Sequence, residues 1–121
     1  MRTKILDINF DNDDIKTIIN KIIDAIKNNQ KCFIVTPNPE IVMLAQKDHE
    51  LKKILNSADI IIPDGIGIVL ASKLNKTKIK KRLAGYDLVQ EFFSVINKNI
   101  NQKDKNYKIY FLGSKKETVE L

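Results

Sequence analysis

Tryptophan is missing from this chain of 121 residues, and cysteine and histidine occur once each. A single cysteine excludes an internal disulfide; Cys32 lies in an apolar run, which reads as a buried, reduced thiol and suggests the cytosol. The lone histidine, His49, has no second imidazole with which to share a metal, so it is given no role. Glycine is sparse too. Gly65 and Gly67 open like a dinucleotide-binding fingerprint, but the third glycine is absent and no phosphate-binding lysine loop occurs elsewhere. The longest apolar stretch, 60–74, is broken by Asp64, Ser72 and two glycines and is shorter than the ~20 residues a spanning helix needs. The amino terminus mixes charges and lacks the apolar core of a signal peptide.

A hydrophobic fraction of 43% fits a folded globular chain, and no repeat, low-complexity tract or linker divides it, so 1–121 reads as one α/β domain. The net charge of +6 is concentrated in Lys73, Lys76, Lys78, Lys80, Lys81 and Arg82 and again over 98–108. Such a balance favours an anionic partner: nucleic acid, an acidic membrane face or a phosphate-bearing substrate. Charge does not choose among these, and a solvated lysine-rich surface explains it equally well.

Strand and helix signals alternate along the chain. Ile5, Leu6, Ile8 and Phe10 predict a short first strand; Ile15, Ile18, Ile19, Ile22, Ile23 and Ile26 predict an amphipathic helix with Asp11 to Asp14 at its positive end. A strand over 31–36 leads into a helix with Asn38 as N-cap and Pro39 at the first position, where no amide hydrogen is missed. Helix is expected over 49–56, strand over 58–62, a buried helix over 66–74, helix over 86–100 and strand over 107–112, with Ser114 capping a last helix. Phe92 and Phe93 belong to the core by spacing. Residues 75–81 read as a surface excursion. The alternation predicts a mainly parallel sheet with helices on both faces, whose ligands bind at the strands' carboxyl ends.

Two loops lie at such ends. Thr36 closes one strand and faces the free amides of the Asn38 helix, an arrangement suited to phosphate or a sugar hydroxyl, although capping alone accounts for Asn38 and Pro39. Asp64 follows the apolar strand and precedes Gly65, so its carboxylate stands at the sheet's rim, placed to accept a proton; an Asp-Gly turn or N-cap is the equal alternative. A third constellation is Arg82-Leu83-Ala84-Gly85-Tyr86-Asp87. Arg82 could hold a diphosphate bidentately, and Asp87 could cap a helix near Leu88 or orient a hydroxyl, while a plain Arg82–Asp87 surface pair serves as well.

Taken together, Thr36-Pro37-Asn38-Pro39-Glu40, Asp64-Gly65, the Arg82 to Asp87 run and Phe111-Leu112-Gly113, in this order and spacing, closely resemble the TagA/CpsF/WecG glycosyltransferases. The resemblance spans essentially the whole chain. It implies a Rossmann-like fold and an inverting transfer that needs no metal or other cofactor. Within the family it is strongest to members that move N-acetylmannosamine from its uridine diphosphate sugar to undecaprenyl-diphosphate-linked N-acetylglucosamine, in wall teichoic acid linkage-unit synthesis.

On that resemblance Asp64 is the catalytic base, Thr36 and Asn38 position donor or acceptor, and Gly65, Arg82 and Asp87 bind substrate. It also implies a cytoplasmic protein held peripherally on the inner membrane face, with no nucleic-acid partner and with homo-oligomers left open. Family members are longer, so the expectation is that this chain is their amino-terminal part and that membrane attachment and a complete site need residues beyond Leu121. Two alternatives stand beside it: a non-catalytic nucleotide- or phosphate-binding module, resting on the helix termini alone, and a nucleic-acid binder, resting on charge alone.

Overall fold

The computed structural model describes residues 2–80, 83–99 and 107–119. The chain opens with a hairpin rather than one strand: β1 (Arg2–Ile5) pairs antiparallel with β2 (Ile8–Asp11), in register from Arg2 opposite Asp11 to Ile5 opposite Ile8. Leu6 and Asp7 make the turn at φ 47° and 63°, the left-handed pair that a two-residue hairpin demands and that a leucine adopts only at a cost of about 1 kcal/mol. Neighbouring side chains fasten it. Asn56 Nδ2 donates to the Asp7 carbonyl at 2.7 Å, Asn56 Oδ1 accepts from the Asn9 amide at 3.0 Å, and Gln46 Nε2 donates to the Leu6 carbonyl at 3.0 Å.

Helix α1 (Ile15–Lys27) is capped by Asp14, whose carboxylate accepts from the Thr17 amide at 2.8 Å, and it buries Ile18, Ile19 and Ile22. Asn28 closes it, and Asn29 turns away with φ 53°. A short β3 (Ile34–Val35) then enters α2 (Pro39–Lys47), which runs through Asp48 into α3 (His49–Ser57). Asp48 ends one helix and caps the next by accepting from Leu51 N at 3.0 Å. Strand β4 (Ile60–Ile61) lies parallel to β3, Ile34 opposite Ile60 and Val35 opposite Ile61. There follow α4 (Ile66–Ser72), α5 (Gly85–Asn99) and a single turn, α6 (Lys116–Val119).

Alternation along β4 divides the core in two. Ile61 packs with Ile8, Phe10, Val42, Leu55, Ile68 and Ile79, whereas Ile60 and Ile62 point the other way, onto Ile18, Ile19 and Ile22 of α1 and Leu88 of α5. The layer order is therefore hairpin with α2, α3 and α4, then the β3–β4 pair, then α1 and α5. Fully burying an isoleucine contributes about 2 kcal/mol, so the clusters clamp the central pair from both sides.

This mixed α/β arrangement departs from the expected mainly parallel sheet. Among the described residues the strands form two separate pairs, one antiparallel and one parallel. One reason is Asp11. Read in sequence as part of a helix start, it is instead the last residue of β2, nearly fully buried, and its Oδ2 accepts from the Ile61 amide at 2.7 Å where a further strand's carbonyl would otherwise sit.

The strand expected over 107–112 is not formed, and Ile109, Tyr110, Phe111 and Leu112 are exposed; an apolar strand needs a sheet edge to pair with, and this segment lies on neither pair. Phe111 of this segment meets Phe93 edge-on, with centroids 6.4 Å apart. Ser114 lies at φ 68°, two residues before α6, and does not stand at the cap position. Residues 75–80 are less of an excursion than expected. Ile79 is buried and its amide donates to Ser72 Oγ at 2.9 Å, while Asn75 Nδ2 holds the Lys4 carbonyl at 2.6 Å and Asn12 Nδ2 the Lys78 carbonyl at 2.8 Å.

Candidate functional site

The parallel register sets Thr36, one residue past β3, beside Ile62, one residue past β4; Pro63 and Asp64 continue from there. Adjacent strands lie about 4.8 Å apart, so the two loops singled out in the sequence share one end of the sheet. The helix that follows Thr36 starts as its residues dictate. Asn38 Oδ1 accepts from the Ile41 amide at 2.9 Å, and Pro39 has no amide hydrogen to satisfy. The Glu40 amide is left as the first free donor at that terminus, and the Asn38 Nδ2 group is unengaged among the described residues.

Three glycines show how closely the separated motifs meet. A β-carbon at Gly65 would lie 3.4 Å from Pro39 Cδ, and one at Gly67 only 2.9 Å from Pro39 Cγ. A β-carbon at Gly85 would lie 3.0 Å from Thr36 Cγ2 and 3.3 Å from Thr36 Oγ1. The loop at 36–40 is thus wedged between the starts of α4 and α5. Gly67 read in the sequence as part of a failed fingerprint and Gly85 as part of the 82–87 run ahead of a helix; their packing role depends on contacts that no local pattern encodes. The glycine pair at 65 and 67, which fails as a nucleotide fingerprint, has its explanation here as room for a proline ring.

Asp64 is half-buried at the rim and makes no hydrogen bond or ion pair among the described residues. The cap of α4 is Gly65, at φ 104° and without a side-chain hydrogen bond, so the Asp64 carboxylate is not spent on capping. Thr36 Oγ1 is likewise unbonded among the described residues. Thr36 borders two open apolar hollows: one of about 360 Å³ with Pro37, Ile41, Leu44 and Leu51, the other of about 260 Å³ with Ile22, Ile34, Gly85 and Phe92. Asp64 lines neither. Asp87 is exposed on the first turn of α5, which begins at Gly85, so it does not cap a helix near Leu88; the Leu88 amide bonds the Ala84 carbonyl at 3.1 Å. Arg82 lies outside the described residues.

Asp11-Asn12-Asp13 has the spacing of an Asp-x-Asp metal motif, but its carboxylates are occupied by protein groups. Asp11 takes the Ile61 amide and faces Arg2 Nε at 3.5 Å. Asp13 is bonded by Lys21 Nζ at 2.6 Å, which holds its carboxyl below the ordinary value. Among the described residues no three His, Cys, Asp or Glu side chains converge as a metal site, and no helix is long and apolar enough to cross a membrane. Cys32 is half-buried rather than buried; loss of water, then the Asp59 charge, push its thiol above the usual value.

Residues 3–121 match the glycosyl transferase WecG/TagA/CpsF family. Similar proteins include one from Bacillus subtilis (strain 168), 39% identical over 87 residues that cover 72% of this chain and 32% of the relative. One from Bacillus spizizenii is 42% identical over 94 residues, 78% of this chain and 34% of the relative. One from Staphylococcus aureus (strain NCTC 8325 / PS 47) is 31% identical over 121 residues, 98% of this chain and 45% of the relative. All three are named N-acetylglucosaminyldiphosphoundecaprenol N-acetyl-beta-D-mannosaminyltransferase. The chain spans about a third to somewhat under half of their length.

Proposed function

Because the chain belongs to the WecG/TagA/CpsF family of glycosyl transferases, we propose that it serves the reaction named for those relatives, transfer of N-acetylmannosamine to undecaprenyl-diphosphate-linked N-acetylglucosamine in wall teichoic acid synthesis. The donor in this reading is the uridine diphosphate sugar, the transfer inverts the anomeric centre, and no metal takes part. The observation that carries it is the unspent Asp64 carboxylate beside the wedged 36–40 loop.

The Asp64 carboxylate removes the proton of the acceptor hydroxyl as that oxygen attacks the anomeric carbon from the face opposite the leaving group. The bond from the anomeric carbon to the β-phosphate oxygen breaks, and its electron pair leaves with uridine diphosphate. The Glu40 amide and the positive end of α2, with Asn38 Nδ2 and Arg82, offset that charge; Thr36 Oγ1 and Asp87 hold sugar hydroxyls. Gly65, at φ 104°, supplies the left-handed backbone turn directly after Asp64. The parallel β3–β4 pair, covered by helices on both faces, supports a Rossmann-like arrangement as the centre of this site. The reading places the protein on the cytoplasmic membrane face, where the lipid-linked acceptor is presented.

The free α2 terminus on its own supports a second reading, a nucleotide-binding module without catalysis. Incubating protein carried to the relatives' length with labelled donor and lipid-linked acceptor, chelator present, separates the two. Labelled lipid of inverted linkage supports transfer; uridine diphosphate binding without product supports the module; strict dependence on magnesium or manganese contradicts the metal-free step.

A further inference from the structure

The 36–40 and 63–65 loops occupy only part of the sheet's carboxyl end. The Ile60 and Ile62 amides bond toward β3, to the Phe33 carbonyl at 3.2 Å and the Val35 carbonyl at 2.8 Å, so the Ile61 amide faces the opposite edge, where the Asp11 carboxylate takes it at 2.7 Å. The chain therefore leaves β2 beside the place where it leaves β4. Between those two exits lies a hollow of about 160 Å³, walled by Asn12, Asp13, Asp14 and Lys80 and lined on its apolar side by Pro63, Ile79 and Leu83. It starts one residue before Asp64.

The walls of this hollow are held from outside it. Asn12 Nδ2 donates to the Lys78 carbonyl at 2.8 Å and the Ile79 amide to Ser72 Oγ at 2.9 Å, which fixes the 78–80 wall. Asp14 Oδ1 accepts from the Thr17 amide at 2.8 Å and Asp13 Oδ2 from Lys21 Nζ at 2.6 Å. A carboxylate accepts at about four positions, so these bonds orient the two groups without exhausting them. One water needs roughly 10–15 Å³ of such space, so the hollow has room for about ten, the bulk of one amino sugar. Its described lining holds no aromatic ring on which a nucleobase would stack. Apolar side chains for the C–H face and acetamido methyl, carboxylates for hydroxyls and a lysine for phosphate match a phosphorylated N-acetylhexosamine.

The order of features along the sheet distinguishes the two substrates. In an inverting transfer the attacking and leaving oxygens lie in line on opposite sides of the anomeric carbon. The leaving diphosphate is assigned to the α2 terminus, past the end of β3; Asp64 follows β4; the hollow lies beyond β4, on the β2 side. We propose that this hollow is the acceptor-sugar subsite, taking the N-acetylglucosamine of the lipid-linked acceptor so that its hydroxyl reaches Asp64 from the side opposite the leaving group. The inference rests on the proposed transfer and deepens it, giving Lys80 and Leu83 a part in acceptor binding.

The test on this chain is an amide-shift titration by nuclear magnetic resonance, first with N-acetylglucosamine 1-phosphate and then with uridine diphosphate. The sugar phosphate should move the amides of 12–14, 79–80 and 83, and the nucleotide those of 40–41. Leu83→Phe, which fills the hollow, and Lys80→Gln, on an exposed side chain, should each weaken the sugar phosphate several-fold and leave the nucleotide unchanged. Circular dichroism checks that each variant is folded. In the protein carried to the relatives' length, both variants should raise KM for the lipid-linked acceptor several-fold at an unchanged KM for the donor. Sugar-phosphate shifts that fall at 40–41 or nowhere, an unchanged acceptor KM, or a rise in the donor KM instead, which would hand the hollow to the donor sugar, overturn the proposal. A nucleotide that moves neither amide of 40–41 sinks the transfer reading rather than the subsite.

Discussion

Pro39 lies so close to Gly67 that a β-carbon on the glycine would come within 2.9 Å of the proline Cγ. A rigid ring at the first position of α2 cannot step aside as a flexible side chain would, so α4 and α2 must separate to admit a methyl group. Gly67→Ala would gain about 1 kcal/mol of helix propensity and lose about 1–3 kcal/mol to overpacking. We expect net destabilisation, seen as a lower urea midpoint with an unchanged slope. A raised midpoint would mean the two helices are not wedged.

Gly85→Ala makes a subtler prediction. Its β-carbon would press on Thr36 at 3.0 Å, a contact that a few tenths of an ångström relieves, and alanine's helix preference offsets the strain. Stability should stay within about 1 kcal/mol while transfer falls several-fold, because a push on the Thr36 methyl, at 3.0 Å, shifts the side chain that carries the hydroxyl. Unchanged activity would remove Thr36 from the site.

At the other edge of β4, Asp11→Ala strips the Ile61 amide of its acceptor in a buried setting. The expected loss is about 1–3 kcal/mol, measured by denaturant unfolding, and Asp11→Asn should recover part of it by restoring an acceptor oxygen. Equal midpoints for Asp11→Ala and the unmutated chain would show that water satisfies the amide.

Much of this was legible locally. Asn38 announced its cap because Asn-Pro leaves few other roles, and the isoleucine spacing of α1 named its buried face. Asp11 was misread because four residues rich in aspartate look like one helix start; only the hairpin turn at Leu6 and Asp7, with a leucine in an unfavourable conformation, separates Asp11 from Asp14. The wedge of Pro39 against Gly67 and of Thr36 against Gly85 joins residues 28 and 49 positions apart, beyond the reach of any periodicity. Segment 107–112 has a strand's pattern without a strand's partner among the described residues.

Cys32 offers a check on the environment of β3. Desolvation first and the Asp59 charge second raise its thiol above the ordinary value, so less thiolate is present at a given pH. Its alkylation profile should lie at higher pH in the folded chain than in urea. Coincident profiles would contradict the burial assigned to it.

The central claim is that Asp64 accepts the proton in a glycosyl transfer. Asp64→Asn fills the same space at the rim but cannot take a proton, so its most direct measure is donor-to-acceptor transfer by the variant in a chain carried to the relatives' length. The account predicts transfer reduced by about 10²–10⁴-fold, with folding and uridine diphosphate binding retained. Turnover close to that of the unmutated protein would contradict it.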